Sequence, residues 1–257
     1  MSRSAWSYDA IAEVYATDMG QSMPFDDVGW YRDLCKAHPG KIMELGCGTG
    51  RILLPLLAAG LDAFGVDRSL PMLARLRRDA AQRGLDARVA QMDLRNSCLS
   101  GFFSTILAPY SLITYLIDPL EVIATLARLR NLLDRNGRLV LDAFVPQPVA
   151  SFADFRRDYS RPHGNGTLQR HKRITAHAEG TNRIERRYRV IDAGGAMIDE
   201  FHTDETIRPY SAEALVGMAA QAGLRLRSST WDYATRETAS GARFVSLLFD
   251  VADSRCA

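Results

Sequence analysis

The chain has 257 residues, 47% hydrophobic and 24% charged, with a formal net charge of +2 at neutral pH. That length supports one α/β domain with an appended lobe and a sizeable core, and the composition is ordinary for a globular protein. So even a charge balance excludes a whole-molecule field that would draw nucleic acid or a membrane surface, and neither is expected as a partner. Lysine occurs only at Lys36, Lys41 and Lys172, the remaining basic residues being arginine, which reads as compositional bias. The first residues contain no apolar core of signal-peptide length, and no run is long enough to span a bilayer. Cys35, Cys47, Cys98 and Cys256 share no Cys-x-x-Cys spacing, so free thiols in a reducing cytoplasm are expected.

Residues 7–37 read as two helical pieces. Tyr8, Ile11, Ala12 and Tyr15 keep helical spacing; a loop with Gly20 and Pro24 precedes a second helix through Trp30, Tyr31 and Leu34. Short apolar runs predict strands at 41–45, 62–66, 87–91, 104–108 and 138–143. Helices are predicted at 51–59, 69–83 and 120–133, the last ended by Asn136-Gly137. Such alternation implies an α/β fold with a doubly wound, mostly parallel sheet. Beyond Pro146-Gln-Pro148 the texture changes. Residues 167–178, 182–191 and 196–207 alternate polar with apolar, split by turn signals at Gly180-Thr-Asn and Ala193-Gly194-Gly195, which predicts a small antiparallel meander. A helix at 211–222 follows, capped by Ser211, with Glu213 in its first turn and Gly223 closing it. Strands near 224–232 and 243–250 end the chain. Four regions result: an N-terminal helical lid (1–39), a ligand-binding core (40–148), an antiparallel β lobe inserted after the fifth strand (149–208), and a helix and strands completing the core sheet (209–257).

The stretch Ile42-Met43-Glu44-Leu45-Gly46-Cys47-Gly48-Thr49-Gly50 carries the chemistry. An apolar strand ends at an acid, and three glycines at alternate positions follow, where backbone must take unusual angles or approach a ligand closely. A helix start behind the turn would offer free N–H groups. A lone glycine turn also serves nicotinamide and flavin proteins, but the spacing here is Gly-x-Gly-x-Gly rather than Gly-x-Gly-x-x-Gly. Asp67 ends the second strand and Asp93 follows the third. A carboxylate at the tip of the second strand can accept both ribose hydroxyls. Asp93 can accept from an exocyclic adenine amine while the next backbone N–H meets a ring nitrogen. Three acids and no pyrophosphate pattern favour a nucleoside ligand that bears a cation and no phosphates.

With these residues the chain resembles the Rossmann-like S-adenosylmethionine-dependent methyltransferases over roughly residues 8–145, and more weakly in the last strands. The resemblance implies a seven-stranded, mostly parallel sheet and S-adenosylmethionine as cofactor, with S-adenosylhomocysteine as product. It puts Glu44, Gly46, Gly48 and Gly50 around the methionine moiety and Asp67 at the ribose. Met72 and the segment Met92-Asp93-Leu94 fall near the adenine. Ala108-Pro109-Tyr110 matches the acceptor-side motif beside the reactive methyl. Tyr8-Asp-Ala-Ile-Ala-Glu-Val-Tyr15 is similar to the opening helix of bacterial small-molecule members, whose aromatic residues close over the cofactor.

Methyl transfer from a sulfonium is an in-line displacement that depends on alignment and exclusion of water. An amine acceptor needs only a free lone pair, whereas a hydroxyl or carbon acceptor usually needs a base or a metal. The acceptor site is expected between the N-terminal helices, the loop Tyr110-Ser-Leu-Ile-Thr-Tyr115 and the meander, with Tyr8, Tyr110 and Tyr115 as contacts. The meander is expected to lid the site and is also a possible homodimer surface. Base candidates are His163, His171, His177, His202, Tyr110 and Asp142, the last because ligands bind at the carboxyl ends of such strands; Tyr110, His202 and Asp142 lead. No carboxylate at ligand spacing completes His171 and His177 as a metal pair, so no metal is expected. The leading expectation is metal-free N-methylation of a small natural-product or sugar-type metabolite, ahead of O- or C-methylation. Two rivals remain: an RNA methyltransferase using Arg170-His-Lys-Arg173 and the arginines of 183–189, against which Glu179 and Glu185 suggest a balanced strand face, and a non-catalytic cofactor-binding protein.

Overall fold

The computed structural model describes residues 7–20, 23–96 and 99–252; Cys98 and Cys256 lie outside them. Five strands alternate with helices: β1 (Ile42–Leu45), β2 (Ala63–Asp67), β3 (Val89–Gln91), β4 (Phe103–Ala108) and β5 (Leu133–Phe144). They pair in parallel. Two C-terminal strands, β10 (Leu224–Trp231) and β11 (Phe244–Val251), complete a seven-stranded sheet in the order β10-β11-β5-β4-β1-β2-β3, with β11 antiparallel to β5. The α/β doubly wound expectation holds. Chain direction around the sheet reverses at β1, which has β2 on one side and β4 on the other, and a crevice opens at the carboxyl ends of strands at such a point.

Helices cover both faces. On one, α3 (Asp27–Ala37), α4 (Leu53–Ala58) and α5 (Leu70–Gln82) bury Tyr31, Leu53 and Leu76 against Ile42 and Val140. On the other, α6 (Pro119–Asn131) and α7 (Ala212–Gln221) bury Leu126 and Leu215 against Leu139, Leu141 and Phe249. Strand neighbours alternate between these layers, as period two requires. The helix starts follow sequence chemistry: Ser69, Asp118 and Ser211 accept from the N–H groups of Met72, Leu120 and Ala214, satisfying otherwise orphaned donors.

Two departures from the expected elements have local causes. Asn136-Gly137 does not end a helix but lies within β5, where pairing with β4 jumps from Leu133 to Arg138. A Cβ on Gly137 would come within 2.8 Å of the Phe103 carbonyl oxygen, so the bulge needs glycine. The lobe has four strands rather than three: β6 (Phe152–His163), β7 (Gly166–Ala176), β8 (Asn182–Ile191) and β9 (Met197–Ile207), paired antiparallel in that order. The edge strand β6 has two register breaks against β7, around Arg156 and between Arg157 and Tyr159. These scramble the alternation that would have marked it.

The N-terminal region is three helices, α1 (Ser7–Ile11), α2 (Tyr15–Gly20) and α3, because a turn at residues 12–14 interrupts the first expected piece. The lobe's inner face, through Leu168 and Tyr188, packs on Ile11, Ala12, Val14 and Met72. Asp18 fastens the contact: its carboxylate accepts from Arg170 at 2.5 Å, from the Tyr159 hydroxyl and from the Tyr188 hydroxyl at 3.2 Å. Arg170 also pairs with Asp158, so its charge stays compensated if Asp18 is removed. Asp18→Ala should therefore destabilise the protein by about 1.5–3 kcal/mol, the scale for hydrogen bonds to a charged group, in urea unfolding. A change under about 0.5 kcal/mol, normal for an ordinary surface site, would show that Asp18 does not fasten the helices to the lobe.

Candidate functional site

A cleft opens over the carboxyl ends of β1, β2 and β4, the place where open α/β sheets bind ligands. Gly46 and Gly48 form its floor with φ of 63° and 53°. A Cβ on Gly48 would meet the Gly46 carbonyl oxygen and the Tyr15 ring at 3.9 Å, ordinary contact, so its left-handed φ rather than crowding favours glycine there. Gly50 has a different reason for being glycine. Its φ is 87°, and a Cβ there would lie 2.7 Å from Leu54 and 2.9 Å from Leu76, so close packing of the turn on α4 and α5 demands it.

Asp67 stands at the wall. One carboxylate oxygen accepts from the Gly48 N–H and the other from the Ser69 N–H, both at 2.8 Å. Each oxygen keeps a lone pair for a donor in the cleft. Burial raises the pKa of this carboxyl, and the backbone donors pull against that. Asp93, on the far wall, accepts from the Arg95 N–H at 2.9 Å and lies 3.5 Å from both the Arg68 and Arg95 guanidinium groups. Met92, Leu94 and Met72 add apolar lining.

The opposite side is aromatic. Tyr8, Tyr15, Tyr110 and Tyr115 all line the cleft. Tyr8 meets Tyr15 and Tyr115 edge-on, with ring centroids 6.0 and 6.1 Å apart, and the Tyr8 and Tyr115 hydroxyls are 2.7 Å apart. Burial pushes all four phenols above their ordinary pKa, so at neutral pH they are hydroxyl donors and not bases.

Of the residues expected from sequence, the cleft brings together Tyr8, Tyr15, Gly46, Gly48, Asp67, Met72, Met92, Asp93, Leu94, Tyr110 and Tyr115. Glu44, Gly50 and Ala108 lie behind this lining. The other two leading base candidates, His202 and Asp142, are not in the lining, which corrects their expected placement. His202 is on the exposed face of β9, opposite Phe201, Thr203 and Glu205, and lies 3.4 Å from Glu200. Asp142 is fully buried behind the cleft, between the hydroxyls of Tyr31 and Tyr233. The described lining contains no lobe residue; the lobe strand β9 packs against α1 and against the cleft-lining segment Leu112–Tyr115. His163 is likewise engaged outside the cleft, with Thr17.

Arg68, Arg95, Leu112 and Leu116 line the cleft without having been singled out. Adjacency to Asp67 and Asp93 was the available signal for the arginines. On the lobe, the arginines of the basic run form cross-strand pairs: Arg173 with Glu185, Arg183 with Asp204, Arg186 with Glu205 and Arg189 with Glu200. Glu185 balances the run as expected, whereas Glu179 bonds Thr181. Among the described residues no group of three or more His, Cys, Asp or Glu side chains is arranged to hold a metal ion, and no helix is long and apolar enough to cross a membrane.

A family model for a methyltransferase domain matches residues 42–137. The nocamycin O-methyltransferase of Saccharothrix syringae is 30% identical over 211 residues, 76% of this chain and 73% of that protein. Among solved structures, the CcbJ methyltransferase of Streptomyces caelestis superposes with a TM-score of 0.82 at 23% identity, covering 98% of this chain and all of that one. CalS10, an amino pentose methyltransferase from Micromonospora echinaspora solved with S-adenosylmethionine bound, gives 0.71 at 22% identity, covering 97% of this chain and 98% of that one.

Glu44 is only 2% exposed, and its Oε2 has no hydrogen-bond partner. Burial raises its pKa to about 8, with Arg51 pulling the other way. A carboxyl whose folded pKa exceeds its unfolded value binds more protons when folded, so its contribution declines as pH rises from the unfolded pKa to about 8. Glu44→Gln should remove that decline. Relative to wild type, the variant should gain about 2–4 kcal/mol of unfolding free energy between pH 5 and pH 9. Parallel urea-derived stability curves for the two proteins would show that Glu44 is not a proton-binding site of the fold.

Proposed function

The chain belongs to the class I S-adenosylmethionine-dependent methyltransferases, and we propose that it methylates a nitrogen of a small natural-product or sugar-type metabolite without a metal. The cleft's polarity supports this reading: its described lining holds no histidine, its tyrosines are held protonated, and Asp67 and Asp93 are already engaged by backbone and arginine donors. An amine with a free lone pair suits such a site, whereas a hydroxyl would need a base to take its proton. Among the relatives, one is an amino pentose methyltransferase and another, the nocamycin enzyme, is an O-methyltransferase.

When bound, the cofactor supplies a methyl group on a positively charged sulfur. The residues present fit it. Asp67 accepts the ribose hydroxyls through its free lone pairs, and Asp93 with the Leu94 N–H reads the adenine edge. The left-handed turn at Gly46 and Gly48 on the cleft floor would seat the methionyl chain. The Tyr8, Tyr110 and Tyr115 rings hold the acceptor, their faces favouring a cation, and with α1 and α2 they keep water out. The acceptor nitrogen would need only a free lone pair held in line with the methyl group that the cofactor would supply. The surplus proton on nitrogen then passes to water.

The test is formation of S-adenosylhomocysteine with a panel of aminosugars and small amines, in EDTA, beside matched hydroxyl compounds. Turnover with amines in EDTA is expected. Turnover confined to the hydroxyl compounds would overturn N-methylation, and loss in EDTA restored by magnesium would overturn the metal-free step. Asp67→Ala should weaken S-adenosylhomocysteine binding by about 1–3 kcal/mol, the scale for losing a charged acceptor. Unchanged affinity by calorimetry would remove Asp67 from the ribose.

A further inference from the structure

Among the described residues, five that are not glycine have positive φ, and they fall in two turns: Tyr110 and Ser111 (51° and 60°), and Asp232, Tyr233 and Ala234 (47°, 56° and 67°). Side chains disfavour this backbone region, and it persists only where surrounding contacts impose it. Both turns converge on one carboxylate. Asp142, at 0% exposure, receives the Tyr233 hydroxyl at 2.6 Å, the Tyr31 hydroxyl at 2.5 Å and the Tyr110 N–H at 3.3 Å, all on Oδ2.

We propose that Asp142 is a positioning residue: clamped by Tyr31 and Tyr233, its carboxylate holds the left-handed Tyr110–Ser111 turn that carries the Tyr110 ring into the acceptor side of the cleft.

The rest of the turn is fixed to the same strand end. Ser111 Oγ accepts from the Phe144 N–H at 3.0 Å, two residues beyond Asp142. Thr114 closes back on the Ser111 carbonyl at 2.7 Å. Asp232 holds the second turn by accepting from the Arg243 and Phe244 N–H groups at 2.8 and 2.9 Å, which sets Tyr233 against Asp142. The Tyr110 ring packs on Phe144 and Phe244, with centroids 5.4 and 5.8 Å away. These apolar contacts leave the ring free to slide, whereas the hydrogen bond to its own N–H fixes the backbone from which it projects. A buried carboxylate meeting two phenols is better suited to a fixed acceptor than to a base, since it does not itself line the cleft.

The inference rests on the cleft being the methyl-transfer site, and the test separates the two. The protein would carry 3-fluorotyrosine at position 110 alone, in wild type, Asp142→Asn and Asp142→Leu backgrounds. Fluorine spectra would be recorded with and without S-adenosylhomocysteine, and affinity for that ligand measured by calorimetry. Wild type and Asp142→Asn, which keeps a carbonyl acceptor, should each show one sharp line that shifts on ligand addition. Asp142→Leu should show several lines or one broad line, while ligand affinity stays within about twofold because Asp67 and Asp93 share no partner with Asp142. A single ligand-responsive line in Asp142→Leu would overturn the proposal, as would loss of the single line in Asp142→Asn. If Asp142→Leu does not fold, the Tyr31→Phe/Tyr233→Phe double variant, which unclamps the carboxylate and keeps both rings, is read by the same criteria. Failure of the wild type to bind S-adenosylhomocysteine would sink the methyl-transfer reading, and the line count across the variants would still decide the role of Asp142.

Discussion

The carboxylate of Asp67 accepts from the Gly48 N–H with one oxygen and from the Ser69 N–H with the other. It thereby ties the turn after β1 to the turn after β2, at the point where strand order reverses. Beyond the sheet ladder, which ends at Leu45 and Val66, the Cys47 N–H reaches the Val66 carbonyl at 3.0 Å, and the Asp67 carboxylate extends that link from turn to turn. With this bridge, the floor and wall of the cleft are one rigid unit. Gly48 holds its left-handed conformation on the cleft floor with its N–H already fixed by the acid. The same acid keeps lone pairs for a ligand, so the structural bond and the binding function do not compete.

Buried acids do comparable work at the other junctions. Asp142 joins the end of β5 to α3, to the turn after β4 and to the turn before β11. Asp18 joins the N-terminal helices to the β lobe. A carboxylate withdrawn from water is expensive unless donors meet it, so each acid specifies one arrangement of the segments that supply those donors. Loops and short helices that a hydrophobic contact would leave free to slide are thereby set relative to the sheet. The cleft depends on all three junctions, since Tyr8 and Tyr15 come with the lid, Tyr110 with the turn at Asp142, and Gly48 with Asp67.

What the sequence made legible was local. Glu44 to Gly50, Asp67 and Met92 to Leu94 each announce themselves by residue type within a few positions of a strand end, and the β–α alternation fixes which ends are neighbours. The missing pieces are those whose meaning depends on distant partners. Asp142 sits at a strand end where a ligand-facing acid is reasonable, and only the arrival of Tyr31 and Tyr233, 111 and 91 residues away, turns it inward. Asp18 is unremarkable within its helix until Arg170 reaches it across 152 residues. His202 looked available because a histidine on an alternating strand is equally compatible with either face; the register that pairs it with Arg187 sends it outward. The strand β6 was hidden for a related reason, since its register breaks erase the period-two signal that β7, β8 and β9 retain.

The absence of a free base in the described cleft lining has a consequence for how the acceptor must arrive. With phenols held protonated by burial, no group at the aromatic wall removes a proton from an ammonium. An amine acceptor, as proposed above, would therefore have to shed that proton before the wall closes over it, or its lone pair would not be there to attack. Burial that raises the tyrosine pKa values also disfavours the charged form of an incoming amine, so the site itself promotes this loss. The aromatic faces then act later, on the cation that forms as the new bond is made, when stabilisation lowers the barrier rather than trapping the substrate. For the proposed amine acceptor, the same wall would thus favour loss of the proton to water on entry and the charge that develops later, without a dedicated catalytic base.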